Sequence, residues 1–326
     1  MKAYVINSYG PPEAILRLKD EKPKHPGDTE VKIQVCATTV NDYDWCICSG
    51  KPWEYRLLFG LLRQRKKLRI PGMEVAGIVH EIGKHVTRFK PGDEVYGDIS
   101  DYGFGSYAEF LCIDEKALHP KPQKMSFEEA ASIPHAAMLA LQGLRDAGEI
   151  RQGQKVLING GGGGMGAFAV QIAKYYNSQV TGVDRKEKLD AMKTLGYDHV
   201  IDYNSEDFTK GEERYDLILD CRTNRSLWKY LKVLKPHGKY VTVGGRSGKL
   251  LQMLFMNPLL KIFSNKRTRL VMLAANRDLD FIEKLYDEHK LRCQIDGPYS
   301  FEEIPRAVQR FGDAQHVGKI VISVRS

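Results

Sequence analysis

Residues 155–166 read Lys155-Val-Leu-Ile-Asn-Gly-Gly-Gly-Gly-Gly-Met-Gly166, and the fold turns on how that stretch is read. The apolar run Val156, Leu157 and Ile158 reads as a buried parallel strand. Five consecutive glycines follow, then Met165, Gly166 and a helical stretch from Ala167 to Tyr176. Gly160, Gly163 and Gly166 fit G-x-x-G-x-x-G, and Gly161 and Gly164 add the glycines that G-x-G-x-x-G needs. A strand that turns sharply into a helix gathers free backbone N–H groups and the positive helix end at one point. Without Cβ atoms the turn accepts unusual φ and comes close to a pyrophosphate. Alone, a glycine run also describes a linker. The strand before it and the helix after it make it a dinucleotide site, with Gly163, Gly164, Met165 and Gly166 at the turn.

Outward from this turn, strands and helices alternate. Strands are predicted at 155–159, 179–183, 199–202, 216–220, 239–243 and 269–273, with helices at 165–176, 186–195, 225–234 and 279–289. That is the pattern of a doubly wound parallel sheet. The chain before it differs. Val31 to Ala37 alternates apolar and polar residues, and short strands broken by Gly and Pro continue to Ile113, as in a compact all-β unit. Ser126 and Glu129 form a capping box ahead of an Ala- and Leu-rich helix from Ala130 to Ala147, with Pro134 as its kink or break. Past about Asp296 short strands return and end at Gly318-Lys-Ile-Val-Ile-Ser-Val324. The expected domains are 1–122 completed by 296–326, and 123–295.

With 42% hydrophobic and 28% charged residues the chain is globular, not disordered. A net charge of +8 admits nucleic acid, an anionic membrane or a phosphorylated cofactor, and diffuse surface charge is the favoured reading. No apolar run approaches the length of a membrane span, and the first ten residues enter a strand directly, so no signal peptide is expected. The six scattered cysteines fit reduced thiols in the cytoplasm.

Asp184 closes the second predicted strand, 24 residues after Gly160, where a carboxylate binds a ribose 2′-OH in NAD sites. Arg185, Lys186 and Lys188 follow at once and suit a 2′-phosphate instead. Asp184 argues for NADH and the basic cluster for NADPH. Asp184 also suits a plain helix N-cap.

The ordered set Asn41-Asp-Tyr-Asp-Trp45, Pro71-Gly-Met-Glu-Val-Ala-Gly-Ile-Val79, Val86-Thr-Arg-Phe-Lys-Pro-Gly-Asp-Glu-Val-Tyr-Gly97, the glycine loop, Leu195-Gly-Tyr-Asp-His-Val-Ile-Asp-Tyr203, Leu234-Lys-Pro-His-Gly238 and Gly318-Lys-Ile-Val-Ile322 spans nearly the whole chain. In this it resembles the medium-chain dehydrogenase/reductase superfamily, in its zinc-independent quinone oxidoreductase (zeta-crystallin-like) branch. The resemblance implies an α/β protein: a Rossmann doubly wound parallel sheet plus a GroES-like β-rich domain. Zinc-dependent relatives hold their metal with an early Cys, a Gly-His-Glu and a later Cys. Here Asn41-Asp-Tyr-Asp44 and Gly72-Met-Glu74 occupy the first two places, and a thioether cannot replace imidazole on Zn²⁺, so no zinc is expected.

In similar proteins the segment holding Asn41 and Asp44 faces the nicotinamide. Asn41 is the candidate donor to a carbonyl oxygen gaining charge, and Tyr55, or Tyr43, to orient the acceptor or pass a proton. The resemblance also implies that Tyr203 lies on the adenosine 2′ side, that Val243, Gly244 and Gly245 lie beside the nicotinamide, and that Lys319 reaches the phosphates. Two segments depart from the family. Ala137-Met-Leu-Ala-Leu141 lacks a Thr facing the nicotinamide, and Asp220-Cys-Arg-Thr-Asn224 replaces a small glycine-containing turn.

Two hydrophobic and basic stretches, Tyr55–Arg69 and Leu250–Phe263, suit walls of a greasy pocket, core packing with solvated charges or, least favoured, contact with an anionic bilayer. The expected activity is hydride transfer from NADPH or NADH to a quinone or an α,β-unsaturated carbonyl. The alternatives are a carbonyl reductase or alcohol dehydrogenase, and a non-catalytic NADPH-binding protein such as the RNA-binding or lens forms of zeta-crystallins. No motif for nucleic acid is present. A homodimer is expected from the resemblance, paired through the strand from Lys239 to Val243 or the one at 269–273.

Overall fold

A computed structural model describes residues 1–244, 252, 253, 257, 260 and 264–325. The chain divides into two units. The first holds Met1–His135, Ala275–Leu279 and Ile295–Ser326, and the second Ala136–Ala274 and Asp280–Gln294.

In the first unit, strands β1 (Lys2–Val5) and β2 (Arg17–Asp20) form a hairpin. A second sheet combines β3 (Glu30–Thr39), β4 (Glu74–Ile82), β5 (Glu94–Asp98), β6 (Phe110–Asp114) and β7 (His119–Pro120) with β14 (Ile295–Ser300) and β15 (Lys319–Ser323). Alternation in β3 turns Val31, Ile33 and Val35 into a core with Val75, Val79 and Val95. The C-terminal β15 pairs antiparallel with β3, Val321 opposite Thr39, so the last strand of the chain lies beside the end of one of the first. Helix Asp42–Ser49 follows β3 directly. Helix Phe127–Ser132 starts at the capping box: Glu129 N–H donates to Ser126 Oγ at 3.1 Å, and Ser126 N–H to Glu129 Oε2 at 3.0 Å. It ends two residues before Pro134, whose ring and missing N–H break a helix.

The second unit is built on a six-stranded parallel sheet of β8 (Lys155–Asn159), β9 (Gln179–Asp184), β10 (His199–Asp202), β11 (Tyr215–Asp220), β12 (Leu234–Thr242) and β13 (Arg267–Leu270). Its order is β10-β9-β8-β11-β12-β13, which reverses direction between β8 and β11. Leu157, Ile218, Tyr240 and Leu231 are among its buried core. Lys239–Thr242 lies inside this sheet, between β11 and β13, and cannot pair with another chain. Of the two strands expected at a dimer edge, β13 alone is an edge strand of this sheet among the described residues.

Candidate active site

The strand order reverses between β8 and β11, and the carboxyl ends of the strands at such a reversal are the place where doubly wound sheets hold ligands. The glycine loop lies there. Gly160 and Gly161 donate their N–H groups to the Val183 carbonyl at 2.9 and 3.1 Å, which folds the loop back on β9. Gly160 sits at φ +96°, a conformation that L side chains rarely adopt. A Cβ on Gly166 would stand 2.5 Å from the carbonyl oxygens of Gly160 and Gly161, so strand and helix meet there only through glycine. Helix Gly164–Tyr175 begins at the N-cap Gly163. The N–H groups of Gly164, Met165 and Gly166, in its first turn, have no acceptor within the helix. From beneath, the buried Tyr197 hydroxyl lies 3.2 Å from the Gly161 carbonyl and 2.9 Å from that of Gly166 and donates to them.

Asp184 ends β9 and is buried. Its Oδ2 accepts the Gly162 N–H at 2.9 Å and its Oδ1 the Arg185 N–H at 2.8 Å. The carboxylate therefore braces the loop. Lys188 is buried too: its Nζ lies 3.8 Å from Asp184 and its stem packs on Gly162, so it supports the loop from behind and offers no exposed charge. Arg185 and Tyr203 come together, Arg185 Nε donating to the Tyr203 hydroxyl at 3.2 Å. Val243 and Gly244 follow β12, while Gly245 lies outside the described residues.

The turn after β11 is organised by Asp220, which is fully buried. Asp220 accepts from Asn159 Nδ2 at 2.8 Å, from the Thr223 N–H at 2.8 Å and from the Tyr240 hydroxyl at 2.6 Å. This carboxylate does the work of the missing glycine turn.

In the first unit a second polar cluster gathers where β3, β4 and β15 meet. Asn41 N-caps helix Asp42–Ser49, and its N–H donates to Asp44 Oδ2 at 2.9 Å. Asp44 Oδ1 accepts the Gly72 N–H at 2.9 Å. Burial pushes the Asp44 carboxyl up to about 7, against the pull of those two N–H groups. Glu74 is fully buried and accepts from Lys319 Nζ at 2.6 Å, Asn41 Nδ2 at 2.9 Å, the Thr39 hydroxyl, and the His135 N–H at 2.6 Å. Lys319 also donates to Asn41 Oδ1.

These bonds bear on three sequence expectations. Asn41 is 4% exposed, and its amide N–H groups are turned to Glu74 and Thr39. Asp44 lies behind the site and ties Asn41 to Gly72. Lys319 holds its ammonium against Glu74 and Asn41. Tyr55 stands in an aromatic cluster with Tyr43 and Phe59, ring centroids 6.2 and 5.8 Å away. Burial, then the Asp42 charge, raises its phenol pKa well above the ordinary range. Among the described residues no hydrogen bond joins Tyr55 to Asn41. In Tyr55–Arg69, Phe59 and Leu68 are buried in the core while Leu57, Leu58, Leu61 and Leu62, like Trp53 just before, are exposed; most of Leu250–Phe263 lies outside the described residues.

One pair went unread in the sequence. His135 Nδ1 lies 2.7 Å from Oδ2 of the fully buried Asp98. Burial alone would depress the imidazole, but the Asp98 hydrogen bond and charge, with Asp42 and Glu74, raise it above 6.5. Burial alone would raise the Asp98 carboxyl; His135 and Ser100 hold it below the usual range.

Among the described residues, no group of three or more His, Cys, Asp and Glu is placed to hold a metal ion, and no helix is long and apolar enough to cross a membrane. Residues 27–123 match the family described as alcohol dehydrogenase GroES-like domain, and 195–322 the one described as zinc-binding dehydrogenase. The chain is 30% identical to a 2-methylene-furan-3-one reductase of Solanum lycopersicum, over 99% of its own length and 79% of that protein's. It is 28% identical to a chloroplast envelope quinone oxidoreductase homolog of Arabidopsis thaliana, covering 99% and 98% of the two chains. The solved quinone oxidoreductase of Coxiella burnetii superposes with a TM-score of 0.87 at 28% identity, over 100% of this chain and 99% of that one. Glycine loop, reversed sheet, β-rich unit and these likenesses together place the chain in the medium-chain dehydrogenase/reductase superfamily, in its quinone oxidoreductase branch.

Proposed function

We propose that the protein is an NAD(P)H-dependent, zinc-free reductase that passes a hydride to a quinone or an α,β-unsaturated carbonyl. The observation that carries this reading is the glycine loop at the sheet reversal. A Cβ at Gly166 would close it, and the first-turn N–H groups of Gly164, Met165 and Gly166 suit a pyrophosphate. When bound, the nicotinamide supplies the hydride; the chain supplies placement and charge. The Arg185–Tyr203 pair supports NADPH, since guanidinium and phenol together offer donors to a 2′-phosphate. Both Asp184 oxygens are already turned to backbone N–H groups, which weakens the case for NADH.

The absence of zinc in this reading is supported by Lys319, because a metal ion between Glu74 and Asn41 would meet the ammonium already there. The buried Met73 offers only a thioether. Exposed Trp53, Leu57, Leu58, Leu61 and Leu62 suit a wall for a lipophilic acceptor. The six free thiols suit the reducing cytoplasm. A homodimer would pair through β13.

The test is a steady-state assay with NADPH and NADH side by side, using 9,10-phenanthrenequinone and a small enone, with and without a chelator. Chelator-insensitive turnover preferring NADPH is expected, with the preference reduced at least tenfold in Arg185→Gln. Loss of activity on chelation refutes the zinc-free reading, and no oxidation of either cofactor refutes the reductase.

A further inference from the structure

Folding usually hides leucine and leaves arginine in water, and helix Tyr55–Phe59 does the reverse. Its Arg56 turns inward: Nε donates to the Gly50 carbonyl at 3.1 Å, and the guanidinium lies 4.6 Å from the centre of the Tyr9 ring. Leu57 and Leu58 of the same helix are exposed. Among the described residues twelve large hydrophobic side chains are exposed, and five of them, Trp53, Leu57, Leu58, Leu61 and Leu62, fall within ten residues of sequence, Leu62 at 88%. The turn that carries them is fixed from within. Phe59 and Leu68 are anchored in the core on either side of it. Buried Gln64 donates to the Ile47 carbonyl at 2.8 Å and to the Ser8 carbonyl at 3.1 Å. The Arg65 N–H closes the turn on the Phe59 carbonyl at 2.8 Å, and the Tyr9 hydroxyl donates to the Gly60 carbonyl at 2.5 Å. Leu61 and Leu62 are thus held in water by buried neighbours, not left there by a loose chain.

Positive charge follows at once. No acidic residue occurs from Tyr55 to Met73. Arg63, Arg65, Lys66 and Lys67 are exposed, and among the described residues none of them has an ion-pair partner, whereas Arg69 is paired with Glu21 at 2.9 Å. Glu54, half-buried, is the one carboxylate within the segment 53–67. We propose that this segment is a membrane-docking face. Trp53 and the four leucines enter the headgroup boundary of an anionic bilayer, and Arg63, Arg65, Lys66 and Lys67 meet its phosphates. Scattered exposed leucines need no explanation, but a cluster of large apolar side chains marks a contact surface. Apolar side chains on a short turn suit a fluid layer, which has no fixed shape to match, and unpaired cations beside them supply the preference for negative lipid. Tryptophan is enriched at that same depth, between headgroup and acyl chain. The proposal goes beyond the reductase reading and does not rest on it, since the contact needs neither cofactor nor acceptor.

The experiment floats the full-length protein, without cofactor or acceptor, with vesicles of phosphatidylcholine alone and of phosphatidylcholine and phosphatidylglycerol in equal parts. The protein is expected to float with the anionic vesicles at low salt. Partition should be weaker by about tenfold or more on phosphatidylcholine alone, and likewise at about 1 M salt, where the screening length is about 3 Å. Leu61→Ser/Leu62→Ser should weaken partition on the anionic vesicles by about tenfold or more. Arg63→Gln/Arg65→Gln/Lys66→Gln/Lys67→Gln should erase the preference for them. Trp53 emission should shift to the blue on binding, a change missing in Trp53→Phe. Every substituted side chain is exposed, so the urea midpoints should stay with wild type, which separates lost docking from a lost fold. A wild-type protein that floats with neither vesicle overturns the proposal, as does partition that neither multiple variant changes. Self-association abolished by Leu61→Ser/Leu62→Ser, in a protein that never floats, also overturns it and makes the turn an interface between copies of this chain.

Discussion

Lys319→Met tests the buried cluster of the first unit most directly. The ammonium is 2.6 Å from Glu74 Oε2, and both side chains are buried. Removing one partner of such a pair costs about 3–5 kcal/mol, because the other charge is left behind. Glu74 keeps three other donors, from His135, Asn41 and Thr39, which puts the charge cost at the low end, about 3 kcal/mol. Asn41 Oδ1 also loses its donor, adding about 1 kcal/mol, so about 4 kcal/mol is expected. Glu74→Gln strands the ammonium instead and should cost about 3 kcal/mol. In the double variant the Gln amide can donate to the freed Asn41 oxygen. Its loss should fall short of the sum by about 2 kcal/mol.

Urea unfolding followed by Trp45 fluorescence, in a background with the exposed Trp53 and Trp228 changed to Phe, reads the first unit alone. A Lys319→Met protein within 1 kcal/mol of its parent, or additive variants, would sink this account. If NADPH affinity instead dropped tenfold with stability unchanged, the lysine would belong to the phosphates.

Gly166→Ala forces a Cβ to within 2.5 Å of two backbone oxygens, and NADPH affinity measured by fluorescence should fall more than tenfold; binding within twofold of wild type would contradict the close approach. Tyr240→Phe takes the 2.6 Å donor from buried Asp220 and should cost about 1.5–3 kcal/mol in denaturant unfolding, since the bond is to a charged group; a loss below 0.5 kcal/mol would show that the other donors suffice. The His135–Asp98 pair also links stability to pH. The imidazole is raised above 6.5, so its contribution is fully present below that pH and is lost as pH rises through the folded-state value. The Asp98 carboxyl is held below 3.8, so its contribution is present above that pH and is lost as pH falls through the lowered value. The melting temperature of wild type should therefore exceed that of His135→Gln by most between about pH 4 and 6.5 and by less at pH 9, and a gap independent of pH would contradict this.

What was legible in the sequence was what local pattern encodes. Val156 to Ile158, the glycines and the helix after them announce β8, its turn and helix Gly164–Tyr175 because strand period, glycine conformation and helix start are all short-range. The capping box at Ser126 and Glu129 is of the same kind. Strand order is not local: nothing in Lys239–Thr242 reveals that β13 will cover its open side. Nor does composition tell how many partners a side chain will find. Asn41 caps the helix after β3, and its hydrogen-bonding capacity is filled by Glu74, Thr39 and a lysine 278 residues away. His135 carries no signal of its own beside Ala136 and Met138, because its meaning depends on Asp98, 37 residues earlier on another element.

The pairing of β15 with β3 has a consequence for how the molecule is made. Synthesis runs from the N-terminus at roughly 5–20 residues per second, and domains tend to fold as they emerge. Asn41 and Glu74 leave the ribosome early, but the ammonium that neutralises their pocket is Lys319, 245 residues after Glu74. Until Lys319 has been made, the first unit holds a carboxylate without this cation and lacks the β15 partner of Ala37–Thr39, so the cluster is completed only after the second unit has been synthesised. A premature stop ahead of Lys319 would thus damage a cluster whose other members, Asn41 and Glu74, are encoded far upstream.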